Sequence, residues 1–470
     1  MASVNGGNSR VRVVSRRLMK ASDTSIEPHV LAVSNLDLLP QSMQTSLFCI
    51  YARPPPSTTG NFKTAVAIFA SRLPTFLNHF FPLAGRIAFN PRSGLPEVHC
   101  SNQGAELVVG DASVTLASLD YGQITSTLRQ FQLPYDMDVA LSVQLVSFTC
   151  GGFTVAWCTN HVLMDASSMI LLVNSWSEHA RSGALPAGVR PNHDRSLLFR
   201  PRAAPSYSAS LDEAFTPLDK RHQVNVLTTQ QSMVERLYYV DASAMARLRD
   251  AASHGGGARA TRIQAISAYL WKALAGVVGE ADECCRMGWW VDGRSRLTTP
   301  KVSDALTNYI GNVIAFVVRE ERVQELVRMP LADVAAMVRE AIAAPAYDEH
   351  FQELVDWVEE HKNKRYIDTA SIGLGSPALR ITAAAWFDTD FFGLGQQATL
   401  ATVTATLVAR LCAGFVRLGP RPTGDGSWIA NAFIWPRLAA VLESDEPRVF
   451  KDVTAEYLGL ASPQVLRGRL

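Results

Sequence analysis

The hydrophobic residues of this chain follow two periods, one typical of β-strands and one typical of α-helices. Residues 143–150 and 153–158 are mainly apolar or β-branched, and Gly151-Gly152 separates them, which predicts a β-hairpin. From Met169 to Ala180 the apolar residues recur every three or four positions, as on one face of a helix. The pattern therefore predicts two strands and a helix in direct succession.

The same two patterns recur along the rest of the chain, so both halves mix strands with helices. Residues 261–275 and 330–344 have the spacing of amphipathic helices, whereas residues 312–318 and 399–407 have the character of strands. At the N-terminus, residues 11–14 alternate in the manner of a first strand. Together these elements predict an α/β fold of mixed α+β character with largely mixed sheets.

A proline-rich stretch over residues 183–222 divides the chain. Proline at this density disfavours both a helix and a central strand. A chain of 470 residues is also long enough for two domains. We therefore predict an N-terminal domain over 1–190, a crossover loop over 191–222 and a C-terminal domain over 223–470.

Composition places the chain among globular proteins and argues against highly charged partners. Hydrophobic residues make up 47% and charged residues 19%. With 44 Lys+Arg against 43 Asp+Glu, the net charge is +1, so no global basic field exists to bind nucleic acid or an anionic membrane. No apolar run approaches the roughly 18 residues of a membrane span. We expect neither nucleic acid nor a membrane as partner.

Cysteine usage favours a reducing compartment. The seven cysteines form no C-x-x-C pair, and no N-x-Ser/Thr sequon is present, so we expect free thiols, no structural metal site and a cytoplasmic protein. The basic segment Met1–Lys20 loosely resembles a transit peptide, but its strand-like alternation favours a first strand. The final Gly468-Arg469-Leu470 only weakly resembles a peroxisomal signal.

The most informative polar pair is His161, just after the second hairpin strand, and Asp165, four residues later. Neutral imidazole, with a reference pKa of about 6.5, suits removal of a proton from an alcohol or amine. The structural alternatives are an ordinary strand-end histidine and an aspartate that caps the next helix. No G-x-S-x-G segment suggests a serine nucleophile. Cys158 is close in sequence, but a side chain at that strand position would face away from His161.

The context of this pair resembles the plant BAHD acyltransferases, which use acyl-CoA. Residues 144–165, ending in H-V-L-M-D, resemble the family's H-x-x-x-D region. Further segments match in order: Phe81–Arg86 (FPLAGR), Ala268–Lys272 (AYLWK), Asp292–Leu297 (DGRSRL) and Tyr309–Asn312 (YIGN). The likeness extends from about residue 11 to residue 435.

The resemblance implies two domains like chloramphenicol acetyltransferase, each a mixed sheet flanked by helices, with the active site in a channel between them. A segment near 368–386 is expected to pack with the N-terminal domain. His161 would be the general base, and Asp165 would pair with an arginine, Arg294 in the first place or Arg296 in the second. Residues expected at the channel or near the oxyanion are Thr382, Trp386 and Asn312.

The resemblance also implies the substrates. Acyl-CoA would be a co-substrate, with no bound cofactor and no metal, and the protein would be a monomer. The acceptor would be a small-molecule alcohol, phenol or amine, and the direct reaction would pass through a ternary complex. By family habit, an aromatic acyl group, hydroxycinnamoyl or benzoyl, is favoured for plant specialised metabolism.

Two departures from the family pattern leave alternatives open. Ala166 stands where the family usually has Gly, and the second signature, D-F-G-W-G, is degraded to D-F-F-G-L-G over Asp390, Gly393 and Gly395. The alternative is therefore a BAHD-like protein that is catalytically weak or inactive and acts as a partner or regulator. A condensation-type domain that uses carrier-bound acyl groups is less favoured, because the chain has no carrier domain.

Overall fold

Two large β-sheets, the first built mainly from the N-terminal half and the second from the C-terminal half, form the centre of the molecule. The computed structural model describes residues 11–40, 43–54, 61–195, 200–217, 233–255, 257–364, 366–369, 376–405, 413–444, 446 and 448–461. Within these ranges no helix is long and apolar enough to cross a bilayer.

The first sheet has six strands and contains the predicted hairpin. Its order is β1 (Val11–Met19), β6 (Ala105–Ala112), β7 (Leu141–Ser147), β8 (Phe153–Asn160), β3 (Gln44–Tyr51) and β15 (Leu400–Ala405). In the hairpin, β7 pairs antiparallel with β8, from Leu141 opposite Thr159 to Ser147 opposite Phe153. Every residue of β8 is buried, because apolar layers cover both faces of the sheet. The predictions of this hairpin and of a first strand near residue 11 are confirmed.

The second sheet has seven strands. Its order is β12 (Ile314–Arg322), β11 (Cys284–Asp292), β14 (Ala378–Ala383), β16 (Ala413–Pro420), β17 (Trp428–Ile434), β10 (Val234–Val240) and β18 (Lys451–Asp452). Two small sheets add β2 (His29–Ala32), β5 (Pro96–Cys100) and β4 (Arg86–Phe89), and β13 (Tyr366–Asp368) with β9 (Phe215–Pro217). Both large sheets mix parallel and antiparallel pairs, as expected.

Helices cover the sheets, and the two amphipathic helices predicted in the second half are present. The α-helices are α1 (Asn35–Leu38), α2 (Phe62–Leu77), α3 (Ile124–Arg129), α4 (Ala166–Ser182), α5 (Ser210–Ala214), α6 (Ala242–Ala251), α7 (Arg262–Val278), α8 (Pro300–Leu306), α9 (Val323–Arg328), α10 (Leu331–Ala343), α11 (Tyr347–His361) and α12 (Pro436–Ser444). A capping box of Thr261 and Gln264 starts α7, and its apolar face packs in the core of the second half.

One strand crosses between the halves. Strand β15 pairs antiparallel with β3, from Leu400 opposite Ile50 to Ala405 opposite Thr45. The second half therefore completes the first sheet. We expected a segment near 368–386 to pack with the N-terminal domain. Its strand β14 pairs with β11 and β16 inside the second sheet, and Phe387, directly after the segment, packs against the apolar core of the first half. The strand predicted at 399–407 is present over Leu400–Ala405, and residues 406–407 lie outside the described part of the chain. The sheet that it joins depends on long-range pairing, which local sequence does not encode.

Candidate active site

His161 lies at the junction between the two halves. It follows the last residue of β8, and its backbone N–H donates to the carbonyl of Met43 at 2.8 Å. Its side chain lines a cavity of about 330 Å³ whose walls come from both large sheets. The end of a buried strand thus fixes the backbone of His161, while its ring faces open space.

Asn312 fixes the tautomer of His161. The Asn312 side-chain amide donates to Asp37 Oδ1 and to the His161 carbonyl, each at 2.9 Å. Its oxygen therefore faces His161 Nδ1, at 3.1 Å, and accepts the proton of that nitrogen. Nε2 keeps its lone pair for a group in the cavity. We expected Asn312 at the channel or oxyanion, whereas the structure places it behind the imidazole.

Asp37 and Arg195 stand behind Asn312, and the sequence analysis did not identify either of them. Asp37 is fully buried, and it accepts from the Asn312 backbone at 2.8 Å and from Arg195 Nε at 2.8 Å. Arg195 also donates to the carbonyl of Leu163 at 2.9 Å. Ser34 and Asp37 form a capping box at the start of α1. This local role accounts for an aspartate at position 37, so the sequence alone does not indicate its contact with Asn312 behind His161.

Asp165 is buried at the edge of the cavity, and its carboxylate joins the two halves. Its Oδ1 accepts from the backbone of Ser168 at 2.9 Å, so it is the N-cap of α4. Its Oδ2 accepts from Arg294 at 2.7 Å and from the backbone of Val313 at 2.9 Å. Asp165 therefore serves as helix cap and as ion-pair partner together. Arg296 instead lies over the ring of Tyr347, 5.5 Å from its centroid.

The environment keeps the imidazole neutral. Burial lowers the pKa of His161 below its ordinary value, and the positive charge of Arg417 adds to this effect. Asp165 and the hydrogen bond to Asn312 act in the opposite direction without reversing the result. A histidine with a lowered pKa is unprotonated at neutral pH, which is the state that a general base requires.

The cavity is lined mostly by apolar side chains, with a polar strip on the second sheet. The apolar lining includes Met43, Leu47, Phe387 and Phe415. The described lining contains no cysteine and no serine. Burial raises the pKa of Cys158 to about 12, and its side chain packs on the opposite face of β8. The described residues also contain no group of three His, Cys, Asp or Glu arranged to hold a metal ion.

Thr382 and Trp386 differ in position. Thr382 lines the cavity from β14. Trp386 is 51% exposed and lies outside the described lining, with its indole N–H 3.5 Å from the carbonyl of Pro422. The structure thus corrects the expectation for Trp386. Strand β14 ends at Ala383, so the side-chain alternation that places Thr382 does not continue to Trp386.

The degraded second signature forms a tight turn. The carboxylate of Asp390 accepts from the backbones of Leu394 at 3.0 Å and Gly395 at 2.7 Å. Gly393 and Gly395 both have positive φ, +66° and +73°. Neither carboxylate nor glycines line the cavity among the described residues. This segment therefore supports the fold.

The extra phenylalanine of this signature is buried in an aromatic cluster of the first half. Phe391 and Phe392 are 0% and 3% exposed. The indole of Trp176 on α4 donates to the carbonyl of Phe391 at 2.9 Å, and the ring of Phe392 lies 5.1 Å from that of Tyr51. Ala166 causes no backbone strain either, since it is the first residue of α4 and does not have positive φ.

Comparisons with known proteins agree with this architecture. The family model described as "Transferase family" matches residues 9–414. Omega-hydroxypalmitate O-feruloyl transferase of Arabidopsis thaliana is 27% identical over 380 residues, which cover 77% of this chain and 78% of that protein. Anthranilate N-benzoyltransferase protein 1 of Dianthus caryophyllus is 28% identical over 348 residues, which cover 70% and 76%.

Two solved structures share the fold. Vinorine synthase matches with a TM-score of 0.64 and 20% identity, covering 96% of this chain and 98% of that chain. TRI101 of F. graminearum, complexed with ethyl coenzyme A, matches with a TM-score of 0.71 and 15% identity, covering 90% and 98%. The expected mixed α/β architecture with two sheet-rich domains is confirmed.

Proposed function

The chain belongs to the Transferase family, the BAHD acyltransferases, and from this membership we propose that it moves an aromatic acyl group from coenzyme A to a small-molecule alcohol, phenol or amine. Feruloyl, benzoyl and hydroxycinnamoyl transferases stand among its relatives by name, which favours a hydroxycinnamoyl or benzoyl donor. The mostly apolar cavity suits an aromatic group.

The proposed reaction uses His161 as general base. Its Nε2 takes the proton from the acceptor O–H or N–H, and the acceptor attacks the thioester carbonyl. The tetrahedral oxyanion then collapses, the C–S bond breaks, and the imidazolium returns its proton to the coenzyme A thiolate. The products are the ester or amide and free coenzyme A. Thr382, on the cavity wall, is our candidate donor to the oxyanion.

One observation carries this proposal: the network of Asn312 and Asp37 holds the His161 ring with Nδ1 protonated and Nε2 available to the cavity. An inactive relative that served as a partner or regulator would not need a buried, neutral and oriented imidazole beside an empty space of this size. The altered second signature does not weaken the proposal, because its residues complete a turn outside the cavity.

The test is turnover by the purified protein with feruloyl-, benzoyl- and acetyl-coenzyme A and a panel of alcohols, phenols and amines. Release of free thiol and the mass of the product should show ester or amide formation with an aromatic donor. A folded His161→Ala variant serves as the control for background hydrolysis. Absence of product with every donor, in a protein that binds coenzyme A, would favour the partner or regulator alternative.

The proposal also includes a monomer in the cytoplasm. The described cysteines are all free, as in a reducing compartment. Light scattering coupled to size-exclusion chromatography would test the monomer, and imaging of a tagged full-length chain would test the location.

A further inference from the structure

Two arginines face the cavity from the second sheet. Arg380 on β14 and Arg417 on β16 both line it. Their guanidinium carbons lie 5.0 Å and 4.7 Å from the centroid of one ring, that of Phe415, which lines the same cavity. Parallel pairing of β14 with β16 sets Arg380 beside Phe415 and Thr382 beside Arg417, so the four side chains share one face of the sheet.

Neither arginine forms an ion pair with a described carboxylate. Arg380 is 8% exposed, and its buried Nε has no hydrogen-bond partner among the described residues. Arg417 donates to the carbonyl of Val403 at 3.1 Å. Asp368 also lines the cavity and acts electrostatically on Arg380, although the ion pairs of the described residues include none between these two.

Glu235, the acidic group that acts on Arg417, already has partners of its own. Its carboxylate accepts from the backbones of Thr125 at 2.6 Å and Ser126 at 3.4 Å. Arg417 therefore lines the cavity without an ion pair to any described carboxylate.

The two side chains remain charged in spite of their burial. Burial lowers the pKa of each guanidinium to about 10, and the repulsion between the two adds to the effect on Arg417. Both are thus cations at neutral pH. Two neighbouring buried cations that form no direct ion pair with a described carboxylate are costly, and a bound anion would relieve both their desolvation and their repulsion.

We propose that Arg380 and Arg417 form a binding site for a carboxylate carried by one of the substrates. The guanidinium group presents paired N–H donors that match a carboxylate, and stacking on Phe415 holds the planes while the N–H edges stay available. The site and His161 share one cavity of about 330 Å³, so a small molecule can place its carboxylate on the arginines and its O–H or N–H near Nε2.

This proposal rests on the proposed acyl transfer and names a class of substrate for it. The carboxylate can belong to the acceptor, as in an amino- or hydroxybenzoate, or to the acyl group of a dicarboxylic acyl-coenzyme A. Both use the same chemistry at the arginines, and the experiment separates them.

The experiment compares each acid with its neutral counterpart. Binding of 2-aminobenzoate and of its methyl ester to the wild-type protein is measured by calorimetry, and turnover of both is measured with benzoyl-coenzyme A. In the donor arm, binding and turnover of malonyl-coenzyme A are compared with those of acetyl-coenzyme A, with a neutral alcohol as the acceptor in both cases. We expect the wild type to prefer the acid in one arm by about tenfold or more, because a hydrogen-bonded charge pair is lost in the neutral compound.

Arg380→Met and Arg417→Met should remove that preference, so that each variant binds and turns over the acid and its neutral counterpart equally, within about threefold. Arg417→Lys should restore it in part. Arg319→Met, which removes a partly exposed arginine from β12 of the same sheet, is the matched control and should change neither compound. If the variants lose the preference for 2-aminobenzoate over its methyl ester, the carboxylate belongs to the acceptor. If they lose the preference for malonyl- over acetyl-coenzyme A, it belongs to the donor.

Two results would overturn the proposal. One is equal binding and turnover of acid and neutral compound by the wild type in both arms, which needs no variant. The other is a rise in KM for every acyl-coenzyme A with an unchanged acid-to-neutral ratio, which would assign the arginines to the phosphates of coenzyme A. Because binding is measured without turnover, acid binding by a protein that forms no product would reject the acyl transfer and keep the carboxylate site.

Discussion

At the scale of single residues, the proposed reaction depends on one imidazole, that of His161. His161→Ala should lower kcat by about 10²–10⁴, the usual contribution of a positioned general base. The protein should stay folded, because the ring faces a cavity and fills little of the core. Steady-state kinetics with the active donor, together with a melting curve, checks this. Full turnover by a folded variant would remove His161 from the mechanism.

The pH profile should report the lowered pKa of His161. The base acts only when neutral, so kcat should fall as the pH drops through that pKa, and the acidic limb should lie below about 6.5. The charge of Arg417 contributes to the lowering, so Arg417→Met should move the limb to higher pH. Rates between pH 4.5 and 8.5 for both proteins provide the measurement, and a limb that moves to lower pH would contradict the assignment.

Asp165 should matter for stability as well as activity. Asp165→Ala removes the buried partner of Arg294 and leaves it only the more exposed Asp292, at 3.0 Å. Breaking a buried pair costs up to about 3–5 kcal/mol, whereas loss of a helix cap alone costs about 0.5–2 kcal/mol. Arg294→Met combined with Asp165→Ala should then cost clearly less than the two single changes added together. Urea unfolding of the four proteins tests this coupling, with Arg296→Met as the control arginine. Additive costs would show that the cap is the main role.

At the scale of elements, the hydrophobic periodicity predicted those helices and strands that local interactions determine. The hairpin β7–β8 and helix α4 follow from apolar periods and from an aspartate at the helix start, so the approach to His161 was predictable. Arg294 was identified as the partner of Asp165 through the family resemblance. The sheet that β15 joins, and the second use of Asp37 behind Asn312, depend on contacts between distant segments, which periodicity does not contain.

The turn of the second signature allows a matched test at this scale. Gly393 and Gly395 both have positive φ, where an alanine costs about 1–2 kcal/mol. A Cβ on Gly393 would also lie 2.7 Å from Cγ and 2.9 Å from Cα of Arg181, whereas nothing lies within 4 Å at Gly395. Gly393→Ala should therefore reduce the free energy of unfolding more than Gly395→Ala.

Both glycine variants should keep the wild-type KM for acyl-coenzyme A, because neither glycine lines the cavity. Unfolding curves and initial rates of the two variants supply the comparison. Equal stability losses would mean that α4 shifts easily at Arg181, and a raised KM in Gly395→Ala would place this turn at the coenzyme site.

At the scale of the whole molecule, the family resemblance and the two-sheet architecture were both predictable and are confirmed. The order and spacing of the matching segments along the chain carried that information. The position of Trp386 was not predictable in the same way, because β14 ends at Ala383 and strand alternation no longer determines where the side chain of Trp386 points. The arginines of the cavity also escaped the sequence analysis, since an arginine on a strand is ordinarily read as a solvent-facing residue.

The placement of the base between the two halves predicts direct transfer through a ternary complex. A covalent route requires a nucleophile near that base. The described cavity lining contains neither cysteine nor serine, and Cys158, although close in sequence, lies on the other face of β8 with its pKa raised by burial. A cavity walled by both sheets can instead hold acceptor and thioester together, which supplies the advantage of proximity without an enzyme-bound ester.

Initial-rate plots at varied donor and acceptor should therefore intersect, and acyl-coenzyme A alone should release coenzyme A only slowly. A burst of coenzyme A equal to the enzyme concentration, with an acyl adduct found on the protein by mass spectrometry, would overturn this mechanism and leave the fold assignment in place.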